Sequence, residues 1–266
     1  MADTAFLKPS DIERRFAALA KEKSRAFSVS IQPGAAGILG VPMPAVRREV
    51  RPLLREGAAK AYLAAALAPG AIRSQEGFFA AAIVAGRGKG LSPEERLAAA
   101  EALLLLIDGW ARCDLLGSEI KVFRDDRARF WPVIEQYLQH PNPWAVRLAQ
   151  NWILWNYREP EWVPKALRAL EGDHVLALAR DLYYLSMSLA WCVSMLYTAE
   201  SERCERWLAR LLTERRIDAA TARRTVSKIR DSYQVGKAEK AALSERLRPL
   251  IAAPGLSPGA ARPKAT

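Results

Sequence analysis

Apolar residues recur at helical spacing along nearly the whole chain, and the strict alternation of a half-buried strand does not occur. Ser10 with Glu13 has the form of a capping box, and Ile12, Phe16 and Leu19 follow on one face, which predicts a first helix. Residues 30–44 are broken by Pro33, Gly34, Gly37, Gly40, Pro42 and Pro44 and read as a loop. Pro44 suits the first position of a helix with Val46, Val50 and Leu53 on one face and a kink at Pro52. Residues 58–67 form a short Ala-rich helix closed by Pro69-Gly70. Residues 74–85 form another, ended by Gly86, Gly88 and Gly90. Ser92-Pro93-Glu94-Glu95 is the clearest helix start: a cap, a proline in the first turn and acids at the positive end of the dipole.

That helix runs into Asp108-Gly109-Trp110-Ala111-Arg112-Cys113-Asp114. Asp108 has the chemistry of an N-cap, and a helix starting there puts Trp110 and Asp114 four apart on one face. An electron-rich ring beside a carboxylate can hold a cation. The alternative is a core tryptophan next to a solvated acid.

Further helices are predicted over 124–138, interrupted at Pro132, and from Asn142-Pro143 through Trp144, Arg147, Trp152, Trp155 and Tyr157. Residues 161–170 form another. Residues 181–197 are apolar on nearly every side, so neighbours must bury most faces of that helix. Helices over 201–212, 218–232 and 237–251 complete the series. Beyond Ala252, Pro254, Gly255, Pro258, Gly259 and Pro263 leave no periodic face. Residues 252–266 therefore read as a disordered, dispensable tail, and residues 1–251 as one domain. The fold class is all-α. Helix pairs recur at roughly 35 to 45 residues, the range of two-helix solenoid units that stack with a concave face. A globular bundle is the rival packing.

Composition narrows the function. Half of the 266 residues are hydrophobic, enough for a substantial core. The longest apolar stretch, 97–107, contains Glu101 and falls short of the ~20 residues that span a bilayer, so no membrane partner is expected. The mixed start around Asp3 and Lys8 does not read as a signal peptide. Cys113, Cys192 and Cys204 form no paired motif, and His140 and His174 are the only histidines. These features lead us to expect a reduced, cytoplasmic protein with no metal and no cofactor. The net charge of +11, from 40 Lys and Arg against 29 Asp and Glu, favours a polyanionic partner, nucleic acid ahead of an anionic membrane. A merely soluble, Arg-rich and Ala-rich protein is the bland reading.

Four segments in order resemble the DNA alkylation repair glycosylases built from HEAT-like repeats, over about residues 16–233. Leu39-Gly40-Val41-Pro42-Met43-Pro44-Ala45-Val46-Arg47 looks like that family's Gly-Val-x-x-Pro-x-x-Arg segment. Trp110-x-x-x-Asp114 looks like its catalytic pair, Trp144-Ala145-Val146-Arg147 like its Trp-x-x-Arg helix, and Leu189-Ala190-Trp191 like its second cleft tryptophan. The resemblance implies an α-solenoid whose concave face grips duplex DNA and excises cationic N3- and N7-alkylated purines. It implies a monomer in the cytoplasm, associated with the nucleoid. Trp110 and Trp191 would flank the damaged nucleotide, Asp114 would be the catalytic carboxylate, and Arg147 would contact the DNA beside it. Trp144 would pack behind Arg147. The chain departs from the pattern at Cys192-Val193-Ser194-Met195, where an Arg-Glu pair is usual, at Ser186-Met187-Ser188, and at Ala111. A DNA-binding scaffold without catalysis is the alternative.

The remaining signals are structural or divided. Trp152, Trp155, Trp162 and Trp207 read as core, and Cys113 and Cys192 as small buried hydrophobes. A basic stretch from Arg203 to Arg230 includes Arg223, Arg224 and Lys228, which could track phosphates, as could Arg47 and Arg48. The stretch could equally be a solvated face partly neutralised by Glu202, Glu205, Glu214 and Asp218.

Overall fold

The structure, a computed structural model, describes residues 7–263. Residues 1–6 lie outside the described residues, as do 264–266, the end of the expected tail. The fold is all-α, with helices packed in pairs as in solenoid-like folds, and no strand occurs among the described residues. Among the described residues, no helix is long and apolar enough to cross a membrane. The described chain divides into two compact units that meet in sequence at Asp125 and Asp126.

The first unit contains α1 (Pro9–Leu19), α2 (Glu22–Ile31), α3 (Met43–Val50), α4 (Ala58–Ala66), α5 (Gln75–Arg87), α6 (Pro93–Leu104) and α7 (Trp110–Glu119). Its centre is α5, buried continuously from Gln75 to Ala85 and packed against α1, α3, α4, α6 and α7. Small side chains let so many helices approach it. At Gly86 a Cβ would overlap the Glu119 carbonyl oxygen, so glycine sets the α5–α7 contact.

Buried carboxylates tie this unit together. Glu76, in the first turn of α5, accepts from the amides of Leu39, Gly40 and Val41 at 3.0, 2.8 and 3.0 Å. Those bonds replace the water it gives up. Glu119, 1% exposed, accepts from Arg47 Nη2 at 2.9 Å and from Arg87. Glu13 departs from the capping box expected with Ser10. It crosses to the amides of Arg73 and Ser74 and to the Ser74 hydroxyl at 2.9, 3.1 and 2.7 Å. The start of α1 is made instead by Lys8 and Pro9, with Asp11 accepting from the Lys8 amide at 2.9 Å. Helix α2 ends inside residues 30–44, which the sequence reads as a loop, and none of its residues is buried.

The second unit contains α8 (Arg127–Leu138), α9 (Pro143–Asn156), α10 (Val163–Leu170), α11 (Asp173–Asp181), α12 (Tyr183–Tyr197), α13 (Ser201–Thr213), α14 (Ala219–Asp231) and α15 (Lys237–Ile251). As its all-round apolar sequence requires, α12 is surrounded, packing on α9, α10, α11, α13 and α14. Trp131, Tyr157 and Trp162 form an aromatic cluster with centroids 5.0 to 5.8 Å apart, and Trp152 packs on Tyr137 at 4.9 Å. The core role expected of Trp152 is thus realised, while Trp162 is half-buried and packs on Trp131 and Tyr157.

Residues 252–263 return to α14. Ala219 N donates to Ser257 O at 2.9 Å, Ala220 N to Pro258 O at 3.2 Å, and Arg224 to Ala260 O. The Ser257 and Pro258 carbonyls satisfy first-turn amides of α14 that no helical partner can reach. Gly259 has φ of +74°, and a Cβ there would overlap the Asp218 carboxylate.

Candidate functional site

Helix α7 begins at Trp110, and its N-cap is Gly109, not Asp108. Asp108 serves the loop before α3 instead. Its Oδ2 accepts from Ala36 N at 2.9 Å, and its Oδ1 lies 3.4 Å from Arg112 Nε. Arg112, 8% exposed, donates Nη1 to Leu106 O at 2.6 Å and Nη2 to Ala36 O at 2.8 Å, and lies 5.6 Å from the Phe78 ring. Burial pulls the Arg112 pKa below its ordinary value, while Asp108, Glu76 and Glu13 favour the cation.

Trp110 Nε1 donates to Ile31 O at 3.1 Å, which fixes the indole at the end of α2. The loop itself needs glycine at two points. Gly37 has φ of +68° and accepts through its carbonyl from Gln75 N at 2.8 Å; Gly40 has φ of +85° and lies against the Arg25 backbone. With the loop and indole so held, Trp110 and Asp114 stand on one face of α7, one turn apart and both half-buried.

The second unit brings Arg147 and Trp191 onto two packed helices. Arg147, on α9, is buried and donates to the Tyr184 carbonyl at the start of α12. Two ring contacts join the same helices: Trp144 with Tyr184 at 5.9 Å, and Trp155 with Trp191 at 5.8 Å and 85°. Trp191 is half-buried, so part of its indole faces outward while the Trp155 edge fixes its angle. Sequence reasoning assigned Trp155 to the core and gave Tyr184 no role. Their signal was spacing: Tyr184 and Trp191 are seven apart, two turns of one helix.

The basic residues separate into two groups. Arg47 pairs with Glu119, Arg48 with Glu49 at 3.1 Å, and Arg224 donates to Ser186 Oγ at 2.6 Å and to Ala260 O. The Arg224 guanidinium also stacks 4.7 Å from the Tyr183 ring, and burial holds its pKa below the ordinary value. Arg223 is exposed and Lys228 half-exposed on the same helix, α14. Much of the remaining basic stretch is neutralised by acids: Arg203 with Glu200, Arg206 with Glu202, Arg210 with Glu171 and Glu214, and Arg216 with Asp173. Cys113, Cys192 and Cys204 are buried; burial pushes Cys192 up and Cys204 up to about 12, so neither of these two is a thiolate at neutral pH.

A family model described as DNA alkylation repair enzyme matches residues 12–216, most of the first unit and much of the second. No curated protein and no solved structure matches the chain.

Proposed function

Because the chain belongs to the family of DNA alkylation repair enzymes, we propose that it is a DNA glycosylase, hydrolysing the N-glycosidic bond of cationic N3- and N7-alkylated purines in duplex DNA. Such a base already carries positive charge and leaves as a neutral molecule, so it needs little acid catalysis. The sugar needs help, because it becomes oxocarbenium-like as the bond stretches. Asp114 would stabilise that charge and orient the attacking water, and the indole faces of Trp110 and Trp191 would favour the cation and exclude solvent. Arg147, Arg47, Arg48, Arg223, Arg224 and Lys228 are the proposed DNA contacts. Neither metal nor cofactor enters this chemistry, and the proposed acting species is a monomer at the nucleoid.

The observation that carries the reading is on α7. Asp114 lies one turn from an indole anchored at Ile31, while the neighbouring cation, Arg112, is turned to Asp108 and two backbone carbonyls. The test is release of N7-methylguanine or N3-methyladenine from duplex DNA by the wild type and by Asp114→Asn. That change keeps the shape but removes the charge, and each ~1.4 kcal/mol lost from transition-state stabilisation costs tenfold in rate. A wild type with no release above the spontaneous rate would end the glycosylase reading. It would favour the non-catalytic DNA-binding alternative, which the Cys192-Val193-Ser194-Met195 run supports. Equal rates for wild type and Asp114→Asn would move the catalytic group elsewhere.

A further inference from the structure

A cleft of about 390 Å³ opens in the second unit between the starts of α9 and α12 and the returning C-terminal segment. It contains none of the proposed catalytic residues. Trp144, Tyr183 and Tyr184 line one side, all half-buried, and Ala260, Ala261 and Pro263 line the other. The rings are set at angles to one another: Tyr183 to Tyr184 at 5.4 Å and 71°, Trp144 to Tyr184 at 5.9 Å and 32°. The opposite wall is clasped in place. Arg224 bonds Ala260 O and Ser186 Oγ while stacking on Tyr183, which ties the C-terminal segment to α12.

Size, shape and charge point to one class of ligand. The volume suits a small planar group, and pockets of this size are ordinary small-ligand sites. Positive charge surrounds the rings: Arg224 over Tyr183, and Arg147 and Arg262, whose charges bear on Tyr184. Asp181 is the one acid in the lining. Aromatic faces beside guanidinium groups suit a ring attached to a phosphate better than they suit a cation, since every base offers a π-face and each phosphate a negative charge. We propose that this cleft binds an unpaired nucleotide of a DNA strand, its base against Trp144 or Tyr184 and its phosphate toward Arg224 and Arg262. The proposal rests on family membership and not on the glycosylase chemistry.

The test is binding of undamaged, fluorescein-labelled DNA, read by anisotropy, so catalysis does not enter. One duplex is fully paired and the other carries a single unpaired nucleotide. The wild type is expected to bind the second more tightly by on the order of tenfold, the scale of one base stacked on an aromatic ring. Tyr184→Ala and Trp144→Ala should remove that preference and leave affinity for the paired duplex unchanged. Ala261→Trp fills the cleft from its exposed wall, replaces no core residue, and should have the same effect if the truncations disturb folding. Equal affinity for the two duplexes, a preference that survives Ala261→Trp, or no DNA binding at all would each overturn the proposal. Competition by deoxyadenosine monophosphate would show that a free nucleotide is sufficient. Its failure, with the strand preference intact, would show that the cleft needs the strand.

Discussion

Arg47 Nη2 lies 2.9 Å from Oε1 of Glu119, a carboxylate that is 1% exposed at the end of the helix carrying Trp110 and Asp114. Arg47 therefore holds α3 to α7 whatever else it contacts. Glu119→Gln leaves Arg47 and Arg87 facing each other without the shared anion. It should cost roughly 1–3 kcal/mol of stability, read as a shift of the urea midpoint at constant slope. No shift would show that the half-exposed guanidinium groups are satisfied by water alone.

Arg112 and Asp108 hold the loop before α3 to the start of α7. Asp108→Ala removes the acceptor of the Ala36 amide and the anion beside a buried guanidinium. The loss should be about 2–4 kcal/mol, larger than for an exposed pair, because the charge left behind is poorly solvated. Trp110→Phe should cost less, about 1 kcal/mol, since it loses the bond to Ile31 O and part of a ring that is only half-buried.

DNA affinity should weaken with salt, with a slope of about −0.9 in log K against log salt for each phosphate neutralised. Arg223→Ala is expected to reduce that slope without lowering the melting temperature, because its side chain is exposed. Arg224→Ala should lower the melting temperature, since it loses bonds to Ser186 and Ala260. Equal behaviour of the two variants would contradict the division of roles on α14.

Truncation before Pro254 should destabilise the second unit by about 1–3 kcal/mol, because first-turn amides of α14 and a half-buried guanidinium lose their acceptors. Gly259→Val should mimic much of this, as φ of +74° and the adjacent Asp218 carboxylate leave no room for a side chain. Both are checked by thermal unfolding.

Stability should also fall at high pH. Burial raises the Cys204 pKa from 9.0 to about 12 and pushes Cys192, Tyr62, Tyr157 and Tyr197 upward as well. The unfolded chain ionises first, so for Cys204 the contribution is whole below about pH 9 and is lost as pH rises toward 12. Urea titrations across that range measure it, and a flat profile would contradict the burial of these groups.

What the sequence revealed was local. Ser92 Oγ accepts from Glu95 N at 3.1 Å while Glu95 Oε2 accepts from Ser92 N at 2.9 Å, and Asn142 Oδ1 caps Trp144 N at 2.9 Å, as their motifs imply. The Trp110–Asp114 face was equally legible, because helical spacing alone defines it. The errors came where a partner distant in sequence outcompeted a near one. Glu13 and Asp108 both resemble caps, yet they bond to Ser74 and Ala36. Helix α2 offers no buried face from which a period could be read, and the clasp of residues 252–263 depends on backbone carbonyls, which composition does not encode.

The loop of residues 32–41 and the end of α2 before it are gripped by the first turn of α5 and by the start of α7 with the residues leading into it. Asp108 and Arg112 hold Ala36, Trp110 holds Ile31, and Glu76 holds Leu39, Gly40 and Val41. Such a segment cannot fray residue by residue. Its amides at Ala36, Leu39, Gly40 and Val41 should exchange with deuterium at a shared, slow rate set by a single opening of the first unit, as a foldon does. In that respect a stretch rich in glycine and proline behaves as part of the core.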